Sequence, residues 1–453
     1  MTAPAPAAGS GTRPPSDETG GAAARRYHAR YGSVLPAIDP AAGSTPPKHH
    51  PGARVLPLPY PPAFPPAPSA DRPSPSPDQG LAPDPQDLGH LGALLALLNG
   101  VTRADWTDGR VRAGRPVPSG GGAYPGEVYV ATASGLCHYL PAAHALELLS
   151  EADLRADLAG ALSPPPAVPP EVLLLISSRL GANLARYGPF GHRLQALDTG
   201  VLAGQALTLL ESAGAAPTAH ALFAQERVGR LLGLDAETEH VHAVVTAGRP
   251  GPMASATALL NRRTARAGYE PVPVPLALVL GVLDRAARPV ALDHTAPADC
   301  DLYVVAHRVT GLAPGCHRRD PRTGRLVPVA DGVSARELFP AGGPGELAAF
   351  EAACAVVVTG NYEAGYPVYG DRWYRMLNLR AGVLGQRIGL AAARAGLGAG
   401  LRCDTDTGAA DAALRTPPDR TTLLAALLGP ERGAGAPSHH LLFSPGVPPP
   451  PTG

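Results

Sequence analysis

Apolar positions along the chain fall into two kinds of run. Glu127–Ala131 (EVYVA), Val172–Ser177 (VLLLIS) and Val241–Ala247 (VHAVVTA) are short, β-branched or apolar, and bounded by Pro and Gly, which predicts strands. Leu91–Asn99 (LGALLALLN) and the long apolar stretch Ala196–Ala213 predict helices, the second stopped by Gly214 as a C-terminal cap. The alternation of the two kinds predicts an α+β fold.

The second half repeats this order. Gly-Arg-Pro-Val at 114–117 returns as Ala-Arg-Pro-Val at 287–290, and Glu127-Val-Tyr-Val returns as Asp301-Leu-Tyr-Val. Tyr187/Tyr369, Gly200/Gly382 and Gly214/Gly396 recur in one register without a gap. Several coincidences in one order predict a duplicated domain, packed as a covalent pseudo-twofold pair. A site at such an interface would occur twice in a homodimer, and in a fused chain one of the two is free to decay.

The ends read differently. Residues 1–22 are small, Pro-rich and aperiodic, which predicts disorder, and they lack the apolar core of a signal peptide. Residues 23–87 form a Pro-rich arm or linker whose first part, to about residue 60, is expected to lie on a domain. The copies are placed at 88–250 and 251–445, with 446–453 a disordered tail.

Composition narrows the function. With 38 basic and 38 acidic residues the net charge is zero, against broad nucleic-acid binding. Lys48 is the sole lysine, so no lysine is expected in the folded part of the chain. Five dispersed cysteines without ligand spacing predict reduced thiols, a cytoplasmic setting and no metal site. No apolar run is long enough for a membrane helix.

Three segments carry candidate chemistry. Pro118-Ser119-Gly120-Gly121-Gly122, just before a strand, is either a tight turn or a backbone cradle with a hydroxyl donor. Arg262-Arg263-Thr264-Ala265-Arg266 is either a solvated linker or a phosphate clamp of forked donors. In Arg186-Tyr187-Gly188, the tyrosine is either packed or an acid-base group whose phenolate the guanidinium stabilises.

Taken together, these segments over roughly residues 85–445 resemble the nitroreductase superfamily, in particular its SagB/ThcOx/McbC-type azoline dehydrogenases. The family's Arg-Arg-Ser-x-Arg motif has its counterpart at Arg262–Arg266, and its Pro-Ser-Ala-Gly segment at Pro118–Pro125. Its Lys-Tyr-Gly and Asp-x-Gly elements correspond to Arg186-Tyr187-Gly188 and Asp198-Thr199-Gly200, and its Gly-Leu-Gly turn to Gly396–Gly400. The resemblance implies two tandem nitroreductase-like domains forming a pseudo-dimer, and FMN as cofactor. It also implies oxidation of thiazoline or oxazoline rings in a ribosomally made, thiopeptide-like precursor peptide, with a cyclodehydratase as partner.

The motifs are split between the copies. Ala291–Thr295 replaces the Pro-Ser-Gly element in copy two, and only Asp71-Arg72-Pro73-Ser74 stands where copy one should have its arginine cluster. The resemblance therefore implies one composite flavin site, made of Pro118, Ser119 and Gly120 with Arg262, Arg263, Thr264, Arg266, Gly398, Gly400 and Leu401. Arg186 replaces the family's lysine, so Tyr187 is expected to serve as the catalytic base, with Arg186 lowering its pKa or orienting substrate. The alternatives are an NAD(P)H-dependent nitro- or quinone reductase and a flavin-less scaffold of a peptide-modifying complex. Further homodimerisation stays open.

Overall fold

The computed structural model describes residues 20–32, 46–59, 85–107, 110–253, 257–265, 267–294, 300–433 and 438–441. The three strand segments read from copy one appear as Gly126–Thr132, Val172–Arg179 and Glu239–Ala247. The helix read at Leu91–Asn99 begins earlier, at Pro85. Proline suits a first helical position because its missing N–H has no intrahelical partner there. The long helix runs Gly191–Ser212 and ends before Gly214, whose φ is +72°.

Each copy is built around an antiparallel sheet. In copy one the order is Ala145–Ser150, Gly135–Leu140, Gly126–Thr132, Val172–Arg179, Glu239–Ala247 and Thr218–His220. Copy two repeats it as Leu326–Asp331, Gly315–Arg319, Asp301–Ala306, Cys354–Asn361, Arg420–Gly429 and Gly398–Arg402. Copy one carries a seventh strand, Arg54–Pro57, which the N-terminal arm adds beside Ala145–Ser150.

The repeat register extends to backbone angles. Gly188 and Gly370 have φ/ψ of 51°/−146° and 56°/−147°, and Gly214 and Gly396 have φ of +72° and +73°. The long helices Gly191–Ser212 and Arg372–Arg394 cross at Gly200 and Gly382. A Cβ on Gly200 would lie 2.0 Å from the Leu379 carbonyl oxygen, and one on Gly382 would lie 2.2 Å from that of Leu197. Only glycine permits this approach, which explains why the pair is kept in both copies. Each helix is buried on nearly every side, as a helix between two sheets must be.

Both chain ends tie the copies together. Helix Ala22–Tyr27 begins at the last residue of the stretch expected to be disordered. It docks on copy two, where the Ala24 N–H donates to Asp371 and Arg25 pairs with Glu363 at 2.6 Å. Strand Ser438–Leu441 of copy two pairs with Arg103–Thr107 of copy one. Lys48, expected outside the folded part, is half-buried against copy one and bonds Glu239 and Tyr129. Residues 1–19, 60–84 and 442–453, which take in the tail, most of the Pro-rich linker and Asp71–Ser74, lie outside the described residues.

Candidate functional site

A cavity of about 420 Å³ opens where the two copies meet. Copy one contributes Pro118–Gly122, Tyr187, Leu194, Leu197, Asp198 and Val201 to its walls; copy two adds chiefly Thr264 and Leu401–Asp404. Of the residues expected to form a composite site, Pro118, Ser119, Gly120, Thr264 and Leu401 line this space, and Arg262, Arg263, Gly398 and Gly400 do not.

The loop Pro118–Gly122 takes its shape from internal bonds. The Gly122 and Ala123 N–H groups donate to the carbonyls of Ser119 and Gly120, forming a tight turn in which Gly121 has φ +58°. The two local readings, turn and cradle, thus describe one object. The Ser119 hydroxyl donates to Asp198 Oδ2 at 2.9 Å and accepts from the Tyr124 N–H, and the Gly120 N–H donates to Asp198 Oδ1 at 3.2 Å. Both donors expected to face a ligand are engaged by this buried carboxylate. Burial drives the Asp198 pKa up to about 6, against the pull of the Ser119, Gly120 and Asn183 donors.

Tyr187 ends helix Leu180–Tyr187 with its hydroxyl against the same loop. A Cβ on Gly121 would lie 2.3 Å from the Tyr187 hydroxyl and 2.6 Å from Arg186 Nη1, so the glycine makes room for both. Arg186 donates to the Gly121 carbonyl at 2.8 Å. Burial raises the Tyr187 pKa, and Arg186 opposes this only in part. Arg186 does favour the phenolate, but burial is the larger effect. Desolvation outweighs the guanidinium, so the net shift is upward.

The arginine segment is arranged otherwise than expected. Arg262 is buried and donates to the Pro116 carbonyl, while Arg103 donates to the Arg262 carbonyl, so the segment is stitched to copy one. Arg263 pairs with Glu431 near the surface. Neither lines the cavity; Thr264 does, and Arg266 lies outside the described residues. Gly398, Gly400 and Leu401 sit in an edge strand paired with Arg420–Gly429, and the turn itself is confined to Gly396. Leu401 reaches the cavity, whereas Gly400 backs onto the Tyr269 hydroxyl.

Sequence reasoning missed Asp198 as a site residue, although it stands in the quoted Asp-x-Gly element. It also missed Arg402 and Asp404, which line the cavity as an ion pair, with Arg402 Nε 2.8 Å from Asp404 Oδ1. Both follow directly on the Gly398–Leu401 segment, the one local signal for them.

In copy two the segment aligned with the Ser-Gly loop pairs with a strand of copy one. Ala291–Asp293 pairs with the strand that begins at Thr218. The Ala219 N–H donates to the Ala291 carbonyl, and the Asp293 N–H to the Ala219 carbonyl. The Asp293 carboxylate then accepts from the Leu222 N–H at 2.8 Å. Where copy one has a Ser-Gly loop on an open space, copy two has backbone on backbone.

One solved structure superimposes over most of the chain, and others align with about half of it. A solved structure from Anabaena variabilis, described as a nitroreductase, superimposes with a TM-score of 0.76 at 22% identity, covering 90% of this chain and 99% of its own. A second, from Ralstonia eutropha, is 26% identical over 48% of this chain and 100% of its own, with a TM-score of 0.33. The E. coli microcin synthetase McbBCD complex with truncated pro-MccB17 bound aligns over 51% of this chain and 93% of its own, at 22% identity and a TM-score of 0.31. No curated protein sequence matches the chain. Among the described residues no helix is long and apolar enough to cross a membrane. The Nitroreductase family profile matches twice in tandem, over residues 94–249 and 259–429, and the chain belongs to that family.

Proposed function

We propose that the chain is an FMN-dependent dehydrogenase with one flavin site, which oxidises thiazoline or oxazoline rings of a ribosomally made precursor peptide to thiazole or oxazole. The observation that carries the flavin reading is the cavity lined by the Ser-Gly loop of one copy and Thr264 of the other, while the aligned segment Ala291–Asp293 is taken up in backbone pairing with the strand that begins at Thr218. The residues present fit the cofactor. Leu194, Leu197, Val201 and Leu424 offer an apolar wall for a planar ring, and Thr264 and Arg402 offer donors for an anionic tail. The azoline substrate rests on the resemblance of the motifs Pro118–Pro125, Arg186–Gly188 and Arg262–Arg266.

Flavin, when bound, supplies the two-electron acceptor. The protein's part is proton handling and alignment. Tyr187, as a neutral phenol, donates a hydrogen bond that orients the ring, and Arg186 holds the loop through the Gly121 carbonyl. Asp198, with a pKa of about 6, is mostly ionised at pH 7 and is the base of suitable strength to take the ring Cα proton. This moves the base from Tyr187 to Asp198.

Flavin content and turnover on an azoline peptide test the reading. One flavin per chain is expected in fully loaded protein, and two would sink the single-site assignment. Mass spectrometry should show loss of two hydrogens per ring with dioxygen as acceptor. Tyr187→Phe should slow turnover at least tenfold at unchanged flavin content; full turnover would remove Tyr187 from the mechanism. Rapid bleaching of the bound flavin by NADPH, with no ring oxidation, would instead support a nitro- or quinone reductase.

A further inference from the structure

On the face of the copy-one sheet turned away from the cavity, the N-terminal arm lies over a buried polar cluster. Val128 and Val130 join the core around the long helix Gly191–Ser212, so Glu127 and Tyr129, the alternate residues of that strand, point to the opposite face. His138 stands directly across from Tyr129 on one neighbouring strand, and Glu147 directly across from His138 on the next. Cross-strand partners share a face, so the three side chains form a row. Lys48, His49 and His50 of the arm sit on top of it.

We propose that His50, His138 and Glu147 bind a divalent metal ion of the zinc class, clipping the N-terminal arm to the copy-one sheet. One ligand atom from each of the three lies within 4.8 Å of the others. Two imidazoles and a carboxylate are the donor set that borderline divalent ions take, and the fourth position is left to water.

The surroundings are those of a metal site. His138 presents Nδ1 to Glu147 at 2.9 Å and Nε2 to Glu127 at 3.3 Å. With the metal on the Glu147 side, Glu127 becomes the outer carboxylate that fixes the tautomer and orientation of a ligating histidine. Arg179, 3.6 Å from Glu127, holds that carboxylate in turn. Glu147 Oε1 accepts from the His50 N–H, so one ligand positions another. His50 Nε2 is shut away from solvent and has no hydrogen-bond partner among the described residues. The neighbouring carboxylate, Glu239, is already matched by Lys48.

Such a clip would add to the Lys48–Glu239 pair in holding the arm. Its strand Arg54–Pro57 is four residues long, sits at the sheet edge and buries almost nothing. A strand that short contributes little by itself. An ion held by one arm residue and two sheet residues joins the two directly.

Zinc and cobalt binding to the full chain tests this. EDTA-stripped protein should take up one Zn2+ per chain in competition with a chelating dye and should melt at a higher temperature when loaded. Co2+ should give a visible d–d band, read as a difference spectrum against EDTA, without thiolate charge transfer. His50→Ala, on the half-exposed arm, and Glu147→Gln should each weaken binding at least 100-fold, and Glu127→Gln about 10- to 100-fold. No Zn2+ or Co2+ bound by wild-type protein would overturn the proposal, leaving a histidine clamped between two glutamates. So would a thiolate charge-transfer band, or equal binding by His50→Ala. The wild-type measurements stand even if a variant fails to fold.

Discussion

Asp198 is where a single residue decides most. Its ordinary pKa is 3.8 and in the fold it rises to about 6, so the folded state binds this proton more tightly than the unfolded chain does. Stability from this group is therefore greatest below about pH 4, falls as pH rises from 4 to 6, and is lower by roughly 3 kcal/mol above that. Asp198→Asn keeps an acceptor for the Gly120 N–H and removes the titration. Flavin-free variant protein should show a flatter dependence of denaturation midpoint on pH between 4 and 6, and the turnover profile should lose its limb near pH 6. An unchanged profile would show that Asp198 is not the base. Gly121 makes the opposite demand, for space. Gly121→Ala adds left-handed strain of about 1–2 kcal/mol and a methyl against the Tyr187 hydroxyl. Turnover is expected to fall at least tenfold, and urea unfolding should show the strain.

At the scale of elements, the crossing of the two long helices separates glycines that look alike in sequence. Alanine is favoured over glycine inside a helix by about 0.5–1 kcal/mol. At Gly389 a Cβ meets nothing closer than 3.6 Å, so Gly389→Ala should raise stability by about that amount. At Gly382 the same Cβ would lie 2.2 Å from a carbonyl oxygen on the partner helix, and backbone cannot step aside cheaply. Overpacking then outweighs propensity, and Gly382→Ala should cost about 2–3 kcal/mol. Thermal denaturation of the two variants should move in opposite directions; the same sign in both would refute the packing argument.

For the whole molecule, Arg193 joins more of the chain than any expected site residue. It lies buried on the copy-one helix. Its guanidinium donates to the Gly32 carbonyl of the arm, to Asn378, and to the Thr422 and Leu423 carbonyls of copy two. Arg193→Met preserves volume but leaves several acceptors unmet, each costing about 1–3 kcal/mol when buried. A loss of about 3 kcal/mol or more is expected, with faster proteolysis of the arm; a change below 1 kcal/mol would show that apolar packing alone holds the pair.

How much could be read in advance differs between parts of the chain. Strand periodicity, the long helices and the duplicated register of Tyr187/Tyr369 and Gly200/Gly382 are local or repeat signals, so they were visible in one dimension. The complementary wear of the two copies was legible too, as Pro118–Gly122 without a counterpart at Ala291–Thr295. Side-chain direction was not. Arg262 and Arg263 are forked cations in a run, which suggests phosphate ligands, but the sequence does not show that they also bond Pro116 and Glu431, residues more than a hundred positions away. The net pKa shift of Tyr187 could not be read for a related reason: its Arg186 neighbour is written in the sequence, whereas its burial is not. The lone Lys48 and the His49-His50 pair carried no signal, because Glu239, His138 and Glu147 are brought to them only by strand pairing and the return of the arm. What the sequence determined by itself was therefore the family and the two-copy architecture. Tertiary structure decided which groups face the cavity and which of them have shifted pKa values, since burial and long-range contacts set those and neither is encoded in spacing.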